Sequence, residues 1–115
     1  MRAMEVFAKL KEIRAFEQKH LACLVTLQDF DIMREIGYHQ EAGIVLTLKQ
    51  LFLLDLGSIA TVQRRMTRLK NLGVIVQTRL EHDRRACALT MSPAYQKIYA
   101  RFGTLLSANG GMRAS

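Results

Sequence analysis

Long apolar runs are what this sequence most conspicuously lacks. The longest, Leu21 to Val25 and Leu51 to Leu54, fall far short of the roughly 20 residues a bilayer crossing needs, so no membrane partner is expected. Cysteine is scarce as well. Cys23 and Cys87 are separated by 64 positions, in neither a CxxC nor a metal-type spacing, which predicts reduced, half-buried thiols in a cytoplasm and no structural metal. His20, His39 and His82 share no ligand spacing either. No nucleophile stands with a base in a recognisable order, no glycine-rich phosphate loop is present, and no carboxylate pair suggests acid–base work. An enzyme is therefore not expected, nor a cofactor. At the N-terminus Arg2, Glu5, Lys9, Lys11 and Glu12 interrupt the apolar residues, unlike the unbroken stretch of a signal peptide.

Negative charge is missing from one half. From Leu56 to Ser115 two acidic residues face ten basic ones, a net of +8, whereas Met1 to Asp55 carries a net of −1. Such asymmetry predicts an electrostatic footprint on one part of the surface, suited to nucleic acid. At 115 residues, 50% of them hydrophobic, the chain is long enough for one domain with a core that needs no staple.

Ala3, Val6, Phe7, Leu10 and Ile13 recur at helical spacing and predict an amphipathic helix within 1–20. Thr26, with Asp29 three residues on and Val25 and Phe30 as a staple pair, starts a second helix, expected over about 27–38 because Gly37 and Gly43 break the pattern. Ile44 and Val45 suggest a brief strand. Thr47 with Gln50 repeats the capping signal, and Gly57 followed by Ser58 supplies a turn and a fresh N-cap. In the helix beginning at Ile59, Val62, Met66, Leu69 and Gly73 share one side, while Ala60, Thr61, Arg64, Thr67, Arg68 and Asn71 share the other. Val74 to Leu80 and Arg85 to Met91 read as two strands around the polar tip Glu81, His82 and Asp83. Ser92 and Pro93 sit at N-cap and N1 of a last helix, whose stripe is Tyr95, Ile98, Tyr99, Phe102, Leu105 and Leu106.

This order predicts a mainly α fold with a small β-hairpin, a winged helix-turn-helix flanked by N- and C-terminal dimerisation helices. Its expected layout is a single domain over 1–106, with the terminal helix at 1–20, the helix-turn-helix at 47–72, the wing at 73–91, the last helix at 92–106, and a flexible tail at 107–115. In that architecture the second helix of the motif enters the major groove and the wing reaches phosphates or minor groove. Arg64, Arg65, Arg68 and Lys70 on the helix, with Arg79, Arg84 and Arg85 on the hairpin, are the donors such binding requires.

The sequence resembles the MarR family of bacterial transcription regulators over roughly 26–90. The matching pieces are Leu46-Thr47, the run Ser58-Ile59-Ala60-Thr61-Val62-Gln63-Arg64, then Arg68-Leu69, Leu72-Gly73-Val74-Ile75, Asp83-Arg84-Arg85 and Leu89-Thr90. The resemblance implies a homodimer formed through the terminal helices and bound to double-stranded DNA at a pseudo-palindromic operator, with any small-molecule effector left unspecified. It implies that Ser58 and Thr61 cap the recognition helix or touch the DNA backbone, and that Gln63 and Arg64 face bases and phosphates. It further implies that Asp83 orients Arg85 toward the minor groove. The sequence departs from the family at Phe52, where a small alanine is usual, at Leu56, where the turn glycine is common, and at Gln77, where an arginine often stands. A winged-helix protein-interaction module without specific DNA binding is the competing expectation. An RNA reader is disfavoured, because the aromatic residues fall in helical core stripes and not on an exposed stacking platform.

Overall fold

A computed structural model describes residues 5–83 and 85–110. They form α1 (Val6–His20), α2 (Leu27–Ala42), α3 (Leu48–Phe52), α4 (Ile59–Asn71), β1 (Ile75–Arg79), β2 (Cys87–Met91) and α5 (Pro93–Gly110), a mainly helical fold with one antiparallel hairpin. Ala3 and Arg84 lie outside the described residues. The chain divides into two compact units, one spanning 24–93 and the other made of 1–23 with 94–115.

In the 24–93 unit the helix starts are set by local chemistry. Thr26 accepts from the Asp29 N–H at 3.2 Å while Asp29 accepts from the Thr26 N–H at 3.0 Å, and Thr47 and Gln50 repeat this reciprocal box at 3.2 and 2.9 Å. Each box satisfies donors that a helix N-terminus otherwise leaves open. The end of α4 is equally local. Gly73, at φ 76°, lets its N–H reach the Lys70 carbonyl and the Val74 N–H reach Leu69, a Schellman closure that turns the chain into β1.

The core of this unit gathers Leu24, Ile32, Met33 and Ile36 with Leu46, Leu51, Val62, Met66, Leu69, Val74, Ile75, Leu89 and Met91, all buried. β1 and β2 pair from Ile75↔Met91 to Arg79↔Cys87. Leu89 and Met91 point inward, as alternate residues of a half-buried strand must.

Several expectations are corrected here. α2 runs through Gly37 to Ala42, not to 38. The position a Gly37 Cβ would occupy is 3.4 Å from Met91 Cε, so the missing side chain serves close packing and not a break, and Gly43 at φ 72° is the true stop. The brief strand at Ile44 and Val45 shrinks to one bridge, Thr47↔Ala88, with the Leu89 N–H donating to the Leu46 carbonyl at 2.8 Å. The cap at Thr47 starts α3 before a second pair can form. Between α3 and α4 the left-handed residue is Asp55, at φ 58°, so Leu56 avoids the strained conformation that its place in the turn suggested. Ser92 precedes Pro93 as expected, but its hydroxyl is buried without a hydrogen-bond partner and does not cap α5.

In the other unit α1 and α5 meet through side chains. Phe16 and Phe102 lie 4.9 Å apart, Lys9 Nζ donates to the Leu105 carbonyl at 3.2 Å, and Cys23 Sγ is 3.2 Å from Tyr95 Oη. The hydrogen bond with Cys23, followed by burial, pushes the Tyr95 phenol up to about 12. α5 continues through Gly103 and past Leu106 to Gly110, so the tail expected from 107 is helical as far as 110, and 111–115 lie outside the described residues. Much of the apolar stripe of α1 stays wet: Phe7 is 74% exposed and Leu10 48%.

Candidate nucleic-acid interface

α4 is the most strongly two-sided element of the 24–93 unit. Its inner side buries Val62, Met66 and Leu69, while Ala60, Gln63, Arg64, Thr67, Lys70 and Asn71 are exposed. Packing therefore fixes the helix's rotation about its own axis and decides which side chains face outward.

Its first turn is organised by Ser58. The Ser58 hydroxyl accepts from the Thr61 N–H at 3.1 Å and donates to Thr61 Oγ1 at 2.9 Å, and Arg64 Nη2 donates to the same Thr61 oxygen at 3.3 Å. Ser58 and Thr61 thus form the cap and also steady the guanidinium one turn further on. Such restraint lowers the rotamer entropy that Arg64 would lose on meeting a partner.

Arg65 and Arg68 are placed differently from Arg64. Arg65 Nε and Nη2 form a two-pronged pair with Asp29 Oδ1 and Oδ2 at 2.7 and 2.6 Å, and Arg68 Nη1 lies 3.7 Å from the same carboxylate. Two of the three guanidinium groups on the helix therefore turn toward α2. Asp29 is fully buried and also accepts the Val25 N–H at 2.8 Å. Burial alone would raise its carboxyl; the Arg65 hydrogen bonds, the Thr26 and Val25 N–H groups and the Arg65 charge outweigh that and bring it down to about 2. The same hydrogen bond raises Arg65. The sequence marked Asp29 only as a helix-start residue. Its second role had no legible signal, because its partner lies 36 positions away.

The wing carries further basic residues of the unit. Beyond the last ladder pair, the Leu80 N–H donates to the Ala86 carbonyl and the Ala86 N–H to the Asp83 carbonyl, both at 3.0 Å. Asp83 Oδ1 accepts the backbone N–H of Arg85 at 3.0 Å. The carboxylate thus orients the tip through the backbone, as Asx turns do, where a bond to the Arg85 guanidinium was expected. Arg85 is exposed, and Arg84 lies outside the described residues.

Helix-turn-helix and hairpin recur together in solved structures that align with nearly the whole chain. A point mutant of MepR from S. aureus aligns with a TM-score of 0.59 at 12% identity, covering 100% of this chain and 87% of that one. A transcriptional regulator from Thermotoga maritima aligns at 0.59 and 19% identity, covering 92% and 78%. A cysteine mutant of MarR from E. coli, complexed with operator DNA, aligns at 0.57 and 14% identity, covering 90% and 72%. The chain has a MarR-like winged-helix fold. No protein-family model matches the sequence, and no curated protein does.

In MarR-like terms α3 and α4 are the helix-turn-helix pair, and β1 with β2 is the wing. Phe52 is half-buried at the end of α3, and Gln77 is half-buried in β1 opposite Leu89. Among the described residues no three His, Cys, Asp or Glu side chains group to hold a metal ion, and no helix is long and apolar enough to cross a membrane.

Proposed function

We propose that this chain is a cytoplasmic, homodimeric regulator of transcription that binds double-stranded DNA at a pseudo-palindromic operator and catalyses no reaction. The observation that carries this reading is the exposed, polar outer face of α4, steadied at Ser58 and followed directly by a basic wing. A MarR-like structure that holds operator DNA supports it from outside. In this reading Gln63 and Arg64 address base edges, Ser58 and Thr61 order the start of the helix, and Arg84 and Arg85 take phosphates or minor groove beside the wing. Arg65 and Arg68 serve chiefly to seat α4 on Asp29, with any DNA contact made at the groove's edge. The uncovered apolar residues of α1, with Leu106 at 45% exposure, favour a second copy of the chain as the dimer partner. The twofold axis would then set two copies of α4 in major grooves about 34 Å apart.

Mobility shift against random duplex, followed by selection of bound fragments, tests the proposal. With about six phosphates met per dimer, affinity is expected to fall about a thousandfold between roughly 50 and 200 mM salt. Arg64→Ala is expected to cost about 1 to 3 kcal/mol and to relax preference at one base pair. A loss equal for all sequences reassigns Arg64 to phosphate. No retention of any duplex at low salt favours the interaction-module alternative.

A further inference from the structure

Ala60, Gln63, Arg64 and Thr67 line an open hollow of about 450 Å³ on the outer face of α4. All four lining residues come from one face of a single helix, so the hollow cannot close around a ligand. It suits something long and shallow laid along the helix.

Its chemistry is ordered along the axis. The Gln63 amide and the Arg64 guanidinium occupy the middle, and the methyl group of Ala60 and the methyl and hydroxyl of Thr67 stand at either end. From 60 to 67 the helix rises about 10 Å, close to three base-pair steps. Arg64 spends one N–H on Thr61 and keeps the rest of its fork for another partner.

Resting on the DNA-binding reading above, we propose that this face selects a half-site whose central purines are flanked by thymines. Gln63 pairs with adenine through N6 and N7, and Arg64 with guanine through O6 and N7. The methyl groups of Ala60 and Thr67 meet thymine C5-methyl groups. Cytosine at the Ala60 flank would turn its N4 amino donor toward a methyl and lose a hydrogen bond to water without replacement, which sets the preference against it there.

The test uses the full chain and the duplex it selects from a random pool. Thymidines of the selected half-site are replaced singly by deoxyuridine, which removes only the C5-methyl, and the central guanine by 7-deazaguanine, which removes only N7. The expected losses are about fourfold per flanking methyl and about fivefold or more at N7. Thr67→Ser, an exposed change that leaves the core intact, is expected to weaken binding to the thymidine duplex but to add no loss on the deoxyuridine one, since the methyl contact is already gone. Half-sites without thymine, equal affinity for both duplexes, or losses that simply add overturn this inference and leave DNA binding standing. Failure to retain any duplex overturns the DNA-binding reading, and this inference with it.

Discussion

The two units of the chain finish their folding differently. In the 24–93 unit Ile32, Ile36, Leu51 and Leu69 are wholly buried, and the buried carboxylate of Asp29 meets two backbone N–H groups and a two-pronged guanidinium. In the unit made by α1 and α5 the buried charge is Lys9, which has one carbonyl at 3.2 Å and a carboxylate at 3.7 Å, while Phe7 and Leu10 stay in water. The first unit meets its buried charge fully from within, although Val25, Leu27, Leu53 and Ile59 stay exposed on its surface. The second holds its buried ammonium with fewer contacts and leaves Phe7 in water.

That contrast should be most visible at Asp29. Asp29→Ala leaves Arg65 without its partner and opens the α2 cap, and is expected to cost about 3 to 5 kcal/mol of unfolding free energy in urea titration. Adding Arg65→Met should restore part of the loss, because an apolar side chain replaces an unpaired, half-buried charge. A cost below 1 kcal/mol would mean that the pair does not hold α4.

Leu69→Ala, in the same core, is expected to cost about 2 to 5 kcal/mol by calorimetry through lost transfer energy and the cavity left behind. Acid titration gives a smaller effect with a definite sign. The Asp29 carboxyl is lowered in the folded state from 3.8 to about 2, so its stabilisation is complete above about pH 4 and disappears as pH falls toward 2. The expected loss over that window is roughly 2 kcal/mol, and it should be absent from the Asp29→Ala variant. At the far end of the scale stands the terminal unit: Phe7→Ser should change the stability of an isolated chain by about 0.5 kcal/mol or less. It should nevertheless weaken association in sedimentation at rising concentration. A large stability loss with unchanged association would assign Phe7 to its own chain's packing.

Much of the architecture was legible because its signals are local. Thr26 with Asp29, Thr47 with Gln50, Ser58 with Thr61, and Gly73 after Leu72 each act over three or four residues, and each does in the structure what its spacing predicts. Gly37 misled for the same reason: within its own turn it is a helix breaker, and only Met91, brought against it by β2, explains why the helix continues. The wing tip was legible in composition but not in bonding, since the sequence cannot say whether Asp83 will meet the guanidinium or the amide of Arg85.

The candidate site divides along the same line. Composition and periodicity place Arg64, Arg65 and Arg68 on one cationic helix and set Gln63 and Thr67 near them, because 3.6 residues per turn is a property of the backbone alone. Which guanidinium stays on the outer face depended on α2 packing against α4, an arrangement stabilised by burying Ile32, Ile36, Val62 and Leu69 together. That packing carries Asp29 to within 2.7 Å of Arg65 and turns Arg64 the other way, a choice made by contacts between residues far apart in the chain.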